Sequence, residues 1–248
     1  MRNYLSLLLM LCLLAAPALA QNHCFICNSQ KGLRQVKVGT GTDYLCQECR
    51  EKKSACDICR RQGAGTLQPD GTRICDSCAR NRVITQEQLE DLYDGVQRFL
   101  RNDETGVLVN FDLQVKLADR DEFYTQLARG GRAIAAVGFY SPYNPERIFI
   151  LKGREKLESS STLVHEYTHA WQSRNCPSQD RALSEGFACY VQYRYLQSLG
   201  RRGMAQRLTT NSDPDYGASL KTLLAYERKV GVKGVVEYAK TARNLPKL

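Results

Sequence analysis

Residues 159–171 read SSSTLVHEYTHAW. His165 and His169 stand four apart, so on a helix both imidazoles project from one face and can share a metal ion. Glu166 lies beside the first histidine, within reach of a water on that metal. Leu163, Val164, Tyr167 and Trp171 remain for packing, and one of Ser159, Ser160 and Ser161 is expected to cap the helix.

Two imidazoles do not complete a site. The only other histidine of the chain is His23, so the third ligand is expected to be a carboxylate. Downstream, Ala182-Leu183-Ser184-Glu185-Gly186-Phe187-Ala188-Cys189-Tyr190 opens a second amphipathic helix, with Glu185 near its start. Gly186 costs roughly 1 kcal/mol in a helix relative to Ala, and is expected there to let the two helices approach closely. Two histidines, one glutamate and an open position are the donor set of a catalytic zinc. Zinc lowers the pKa of its bound water to about 7. Glu166 is expected to take that water's proton as it attacks a peptide carbonyl, then to hand it to the leaving amine. A tyrosine or arginine is expected to stabilise the oxyanion. Tyr140, Tyr143, Tyr190 and Tyr216 are candidates that the sequence does not rank. Cys176 and Cys189 bracket Glu185 and read equally well as a disulfide or as free thiols.

Upstream, Thr85-Gln86-Glu87-Gln88 has the pattern of a capping box. It opens an expected helix over 86–101 with Leu89, Leu92, Val96, Phe99 and Leu100 on its apolar side. Three stretches read as strands: Gly106–Leu117, Arg132–Tyr140 and Arg147–Lys152. The last, RIFILK, is expected to be an edge strand that pairs with an extended substrate. Together these features predict an α+β domain, residues 83–248, with a short sheet and several helices.

Residues 24–78 carry four C-x-x-C knuckles: Cys24/Cys27, Cys46/Cys49, Cys56/Cys59 and Cys75/Cys78. The two halves repeat one another, Gly41-Thr42-Asp43-Tyr44-Leu45-Cys46 echoing Gly71-Thr72-Arg73-Ile74-Cys75. Two such knuckles, brought together by a hairpin, complete a tetrahedron of sulfurs suited to zinc. In the second half Gln68-Pro69-Asp70-Gly71 supplies the turn. Cys24, Cys27, Cys46 and Cys49 are assigned to one structural zinc, and Cys56, Cys59, Cys75 and Cys78 to another. Eight cysteines in an oxidising compartment can also form four disulfides, but the regular repeat of adjacent-turn pairs favours metal. Each half is too small to hold a core unaided. His23, next to Cys24, reads as a bystander. With four sulfurs each, these sites are closed, so residues 21–82 form a structural module or a surface for a protein partner.

Residues 1–20, MRNYLSLLLMLCLLAAPALA, have the positive start, short apolar run and small-residue ending of a secretory signal peptide. An uncleaved anchor is the alternative. The apolar run is short for a bilayer, and no other long apolar run follows, so no membrane span is expected after cleavage. The chain is expected to be secreted or periplasmic. Lys and Arg outnumber Asp and Glu by 35 to 26, and cleavage takes the formal charge from +9 to +8. Export removes intracellular nucleic acid from the partners such a charge suggests, leaving ordinary solvated cations or attraction to acidic surfaces. A composition 43% hydrophobic and 25% charged excludes collagen, coiled coil and wholesale disorder.

Residues 147–195, RIFILKG…STLVHEYTHAWQ…LSEGFACYVQY, resemble the peptidase domain of the plant ubiquitin-activated LIM-domain metallopeptidases that limit organ growth. The tail from Ser212 through KTLLAYERKVGVKGVVEYAKTARNLP is similar to that family's closing segment, and the cysteine module resembles its LIM region. The resemblance implies a gluzincin-type zinc peptidase, with His165, His169 and Glu185 as ligands and Glu166 as base. The chain departs from the pattern in four respects. A LIM domain usually has His where Cys46 stands and two residues between its halves, not six. Many gluzincins place Asp four residues after the ligand Glu, where this chain has Cys189, so the group that orients the histidines is expected elsewhere. No ubiquitin-interacting segment is found, so neither the plant substrates nor that activation is transferred. The expectation is a secreted zinc metallopeptidase with one catalytic and two structural zinc ions, acting on a protein or peptide substrate. The competing expectation is a non-enzymatic interaction protein with a vestigial site.

Overall fold

The computed structural model describes residues 22–38, 41–52, 55–57, 65–67, 73–129 and 136–247. The signal-peptide reading of residues 1–20, Cys59, the turn at Gln68-Pro69-Asp70-Gly71 and residues 132–135 of an expected strand lie outside them. The fold is mixed α+β with small sheets and clustered cysteines. The chain divides into two compact units, Met1–Asp76 and Ser77–Leu248.

In the first unit, β1 (Arg34–Val38) pairs antiparallel with β2 (Gly41–Leu45), and α1 (Gln47–Lys52) follows directly. The second half repeats this on a smaller scale. β3 (Thr66–Leu67) pairs antiparallel with β4 (Arg73–Ile74), and α2 (Asp76–Asn81) follows, starting on the last residue of this unit. A parallel contact of Val38 with Leu67 joins both hairpins into one sheet, ordered β2-β1-β3-β4. The apolar centre is small: Cys24, Leu45, Cys46, Cys49 and Leu67, edged by Phe25, Leu33, Val36 and Val38.

The second unit begins with α3 (Gln86–Asn102), where Thr85 and Gln88 form the expected capping box. Its sheet is short. β5 (Gln114–Ala118), β6 (Gly138–Ser141) and β7 (Arg147–Leu151) stand in the order β5-β7-β6, with β7 parallel to β5 and antiparallel to β6. β7 is therefore the central strand, and the reading of RIFILK as an edge is corrected. Both of its faces are apolar and both are covered. Ile148 and Ile150 enter the main core, while Phe149 stacks on Phe139 at 4.9 Å beneath α4 (Arg120–Arg129) with Phe123 and Leu127. The Gln86 amide bonds Val115 O and Leu117 N on the outer side of β5, so among the described residues the edge open to the cleft is β6. The expected strand Gly106–Leu117 pairs only from Gln114. Its earlier residues follow helices instead: Val109 N–H donates to Tyr167 Oη, and Tyr93 Oη donates to Leu113 O.

Four further helices complete the unit. They are α5 (Lys156–Asn175), α6 (Arg181–Ser198), α7 (Arg202–Thr209) and α8 (Ser219–Thr241), with a π-helical turn at Pro214–Ala218. No serine caps α5. The helix starts at Lys156, so Ser159, Ser160 and Ser161 are buried inside its first turns, where Ser161 Oγ accepts from Gln192 of α6. Two glycines set the spacing around the site. A Cβ on Gly138 would lie 2.5 Å from Thr162 Cγ2, so β6 can press against α5. A Cβ on Gly186 would lie 2.6 Å from Ser219 Cβ. Gly186 thus brings α6 close to the start of α8, not to the histidine helix as the sequence suggested. No helix among the described residues is long and apolar enough to cross a membrane.

Candidate metal centre

α5 carries His165 and His169 on one face one turn apart, their ring centroids 4.8 Å from each other. α6, capped by the Asp180 side chain on Leu183 N, presents Glu185 from its first turns. The three ligand atoms converge. His165 Nε2 lies 3.1 Å from His169 Nε2 and 3.1 Å from Glu185 Oε2, and His169 Nε2 lies 3.3 Å from the same oxygen. Donors at about 2.0–2.1 Å in a tetrahedral shell lie about 3.3 Å apart. The three atoms thus have the separations of one face of such a tetrahedron, and the group can hold a metal ion.

These groups also pair with one another. Burial favours the neutral form of His165, but Cys189 and Glu185 beside it hold its pKa well above the ordinary value. Burial likewise opposes charge on Glu185, and its hydrogen bonds to His165 and His169 overcome this, holding the carboxyl far below its usual range. The Cys189 thiol sits 3.9 Å from His165 Nδ1, at the position where a carboxylate was expected and found missing. The neighbour of that imidazole is therefore Cys189 itself. Cys189 and Cys176 are both free thiols, which settles the alternative left by the sequence. His169 is held from behind by Gln172, whose Oε1 lies 2.9 Å from its Nδ1.

The group lies in a cleft of about 890 Å³ whose walls include β6, α5, Arg181, Asp213 and Tyr216. Glu166 faces the same cleft, and its Oε2 accepts the Tyr140 backbone N–H at 2.9 Å. In an antiparallel pair the backbone groups alternate between facing the partner strand and turning away. Leu151 N bonds Val137 O, so Gly138 and Tyr140 turn theirs from β7 toward the cleft. Comparison of the chain with protein-family models, with curated proteins and with solved structures found no match.

The four candidate tyrosines separate clearly. Tyr216 stacks over His165, centroids 6.1 Å apart and planes 12° from parallel, and lines the cleft. Burial and the Glu185 carboxylate raise its pKa, with Arg181 opposing. Tyr140 also lines the cleft, but its hydroxyl is engaged by Glu146 and Ser173. Tyr143 is exposed within the β6–β7 turn, where it lines a neighbouring pocket. Tyr190 is wholly buried against Phe187. The sequence reading missed Gln172, Gln179 and the Tyr140 amide. Gln172 lies three residues after His169 and so shares its helix face, a signal the sequence does contain.

In the first unit Cys24, Cys27, Cys46 and Cys49 bring their sulfurs within 4.8 Å of one another, with Cys27 Sγ and Cys46 Sγ at 3.6 Å. Sulfurs at about 2.3 Å from a tetrahedral zinc would stand about 3.8 Å apart. Cys24 is drawn down to about 6: burial opposes this, but backbone N–H donors from the two knuckles outweigh it. Burial and the neighbouring sulfurs push Cys49 up to about 12. Four sulfurs this close cannot all ionise unless a cation lies between them. Cys56, Cys75 and Cys78 gather in the same way, with Cys75 N–H donating to Cys56 Sγ at 3.4 Å. These groups too can hold metal ions, and His23 belongs to neither.

Proposed function

We propose that this chain is a zinc-dependent metallopeptidase of gluzincin type, related to the LIM-domain metallopeptidases that its motifs resemble. One observation carries the reading. His165, His169 and Glu185 close to within 3.1–3.3 Å in a cleft where Glu166 is held beside them by an edge strand. When bound, zinc supplies Lewis acidity, polarising a carbonyl oxygen and making water acidic enough to ionise near neutral pH. The residues do the rest. Glu166 Oε2 is fixed by the Tyr140 amide, which leaves Oε1 to take a proton from the attacking water and pass it to the departing amine. Gly138 and the carbonyl of Tyr140 offer outward backbone groups to which an extended peptide can add as a strand, which favours peptide over other amides. Tyr216, stacked on His165 and lining the cleft, is the tyrosine we assign to donate to a developing oxyanion, exchanging its present contacts with Glu185 and Arg181 to do so.

The cysteine groups are assigned two structural zinc ions, with Cys59 as the fourth ligand of the second. That module steadies the chain or recruits a protein partner, and residues 1–20 direct export to the periplasm or the outside. The test is digestion of an unfolded protein by the wild type and by Glu166→Gln. The wild type cleaves; the variant keeps its metal and loses cleavage by 10²-fold or more, the range of a general base. Equal cleavage by both would sink the mechanism, and no cleavage by either would promote the non-enzymatic interaction reading.

A further inference from the structure

Gln172 is buried on α5, three residues after His169. Its Nε2 lies 3.1 Å from Ser184 O and 3.0 Å from Gln179 Oε1. Gln179 Nε2 in turn lies 2.7 Å from Ala239 O. Backbone carbonyls only accept hydrogen bonds, so both ends of this relay are fixed. Ala239 O requires the amine side of Gln179, which leaves Gln179 Oε1 to accept from Gln172. Ser184 O requires the amine side of Gln172 as well. Both hydrogens of Gln172 Nε2 are then used, and its Oε1 must face His169 Nδ1 at 2.9 Å. An amide oxygen cannot donate, so His169 Nδ1 carries the hydrogen. In the neutral ring that ligates a metal, the lone pair is thereby left on Nε2, the atom that faces His165 Nε2 and Glu185 Oε2.

We infer that Gln172 is a positioning residue that locks His169 in the tautomer able to ligate metal through Nε2, and that the relay to Ser184 and Ala239 is what locks Gln172. The inference rests on the metal-centre reading. It gives the two histidines different supports: a polarised amide anchored on two backbone carbonyls for His169, and the Cys189 thiol for His165. The same amide grips the carbonyl of Ser184, the residue before Glu185. One side chain therefore sets both the ring of one ligand and the helix turn that delivers another. Groups that hold a metal-binding histidine from behind are generally worth 10–100-fold in metal affinity.

The test uses the full zinc-loaded chain. Zinc affinity is measured by competition with a chromophoric chelator, scoring the equivalent that His169→Ala lacks, and the ring N–H protons of the histidines are followed by NMR. In the wild type His169 shows an Nδ1–H that exchanges slowly with solvent. Gln172→Leu lowers zinc affinity 10–100-fold and speeds that exchange. Gln179→Leu, which keeps the Ser184 anchor, causes a smaller loss of both. If Gln172→Leu does not fold, the wild-type spectrum still decides: an Nε2–H on His169, or a rapidly exchanging Nδ1–H, overturns the inference. So does unchanged affinity in a folded Gln172→Leu. A wild type with no zinc equivalent dependent on His169 overturns the metal-centre reading itself, and the inference with it.

Discussion

The two units hold themselves together by different means. In the first, three of the five residues at the apolar centre are cysteines. Little hydrocarbon remains if the sulfurs are not gathered, and sheet strands two residues long add few ladder bonds. The second unit closes without help. Leu89, Leu100, Ile148, Leu163, Leu183 and Phe187 are among its fully buried side chains, and its metal group lies at a cleft wall rather than in the core. The comparison teaches that groups able to hold a metal can have opposite roles in one chain. In the first unit the gathered sulfurs make up most of the core; in the second a separate apolar core orients the three groups that could hold a metal.

The largest effect that could break this contrast is metal removal. Trp171 is the only tryptophan of the chain and is buried in the second unit, so its fluorescence reports on that unit alone. Strong chelation, or Cys46→Ser, should unfold the first unit, since zinc in finger-sized peptides contributes about 10–16 kcal/mol. Thiol reactivity should then rise at Cys24 and Cys49, while the Trp171 transition moves little. A matching collapse of the Trp171 signal would show that the contrast is false.

A smaller effect sharpens the other side. Arg194 of α6 grips Asp103, at the end of α3, through Nε and Nη2, both within 3.2 Å, and reaches Glu227 of α8 at 3.4 Å. Burial opposes the Asp103 charge, but Arg194 outweighs it and holds the carboxyl below its ordinary value. Breaking such a pair from one side costs about 3 kcal/mol or more. Asp103→Asn should therefore lower the Trp171 transition and leave the cysteine module unaffected. A depressed carboxyl contributes fully above its unfolded pKa of about 3.9, and the contribution is lost as pH falls through the folded value. The gap between wild type and variant should thus be constant near neutrality and shrink below about pH 4. A gap unchanged down to pH 2 would mean that the pair carries none of it.

Much of the site was legible because helices repeat. The 165/169 spacing and the apolar face of 86–101 each report their own geometry, and Glu185 followed from the shortage of histidines. What escaped depends on which surface an element meets. Ile148, Phe149 and Ile150 are apolar on both faces of their strand, which is the mark of a central strand rather than an edge. Gly186 marked a close approach correctly, but the partner was Ser219. Ser159 to Ser161 looked like a cap because serine favours caps, yet the helix starts at Lys156 and all three are buried within it. Cys189 was read as a gap in a pattern; the helix period placed its sulfur at the imidazole all the same.

The central claim is that Glu185 completes a metal site with His165 and His169, separate from the cysteine sites. Zinc per chain, counted by native mass spectrometry on wild type and Glu185→Ala purified side by side, tests it most directly. Two four-sulfur sites and one site in the cleft predict three ions in the wild type and two in the variant. Equal counts in the two proteins would contradict the account.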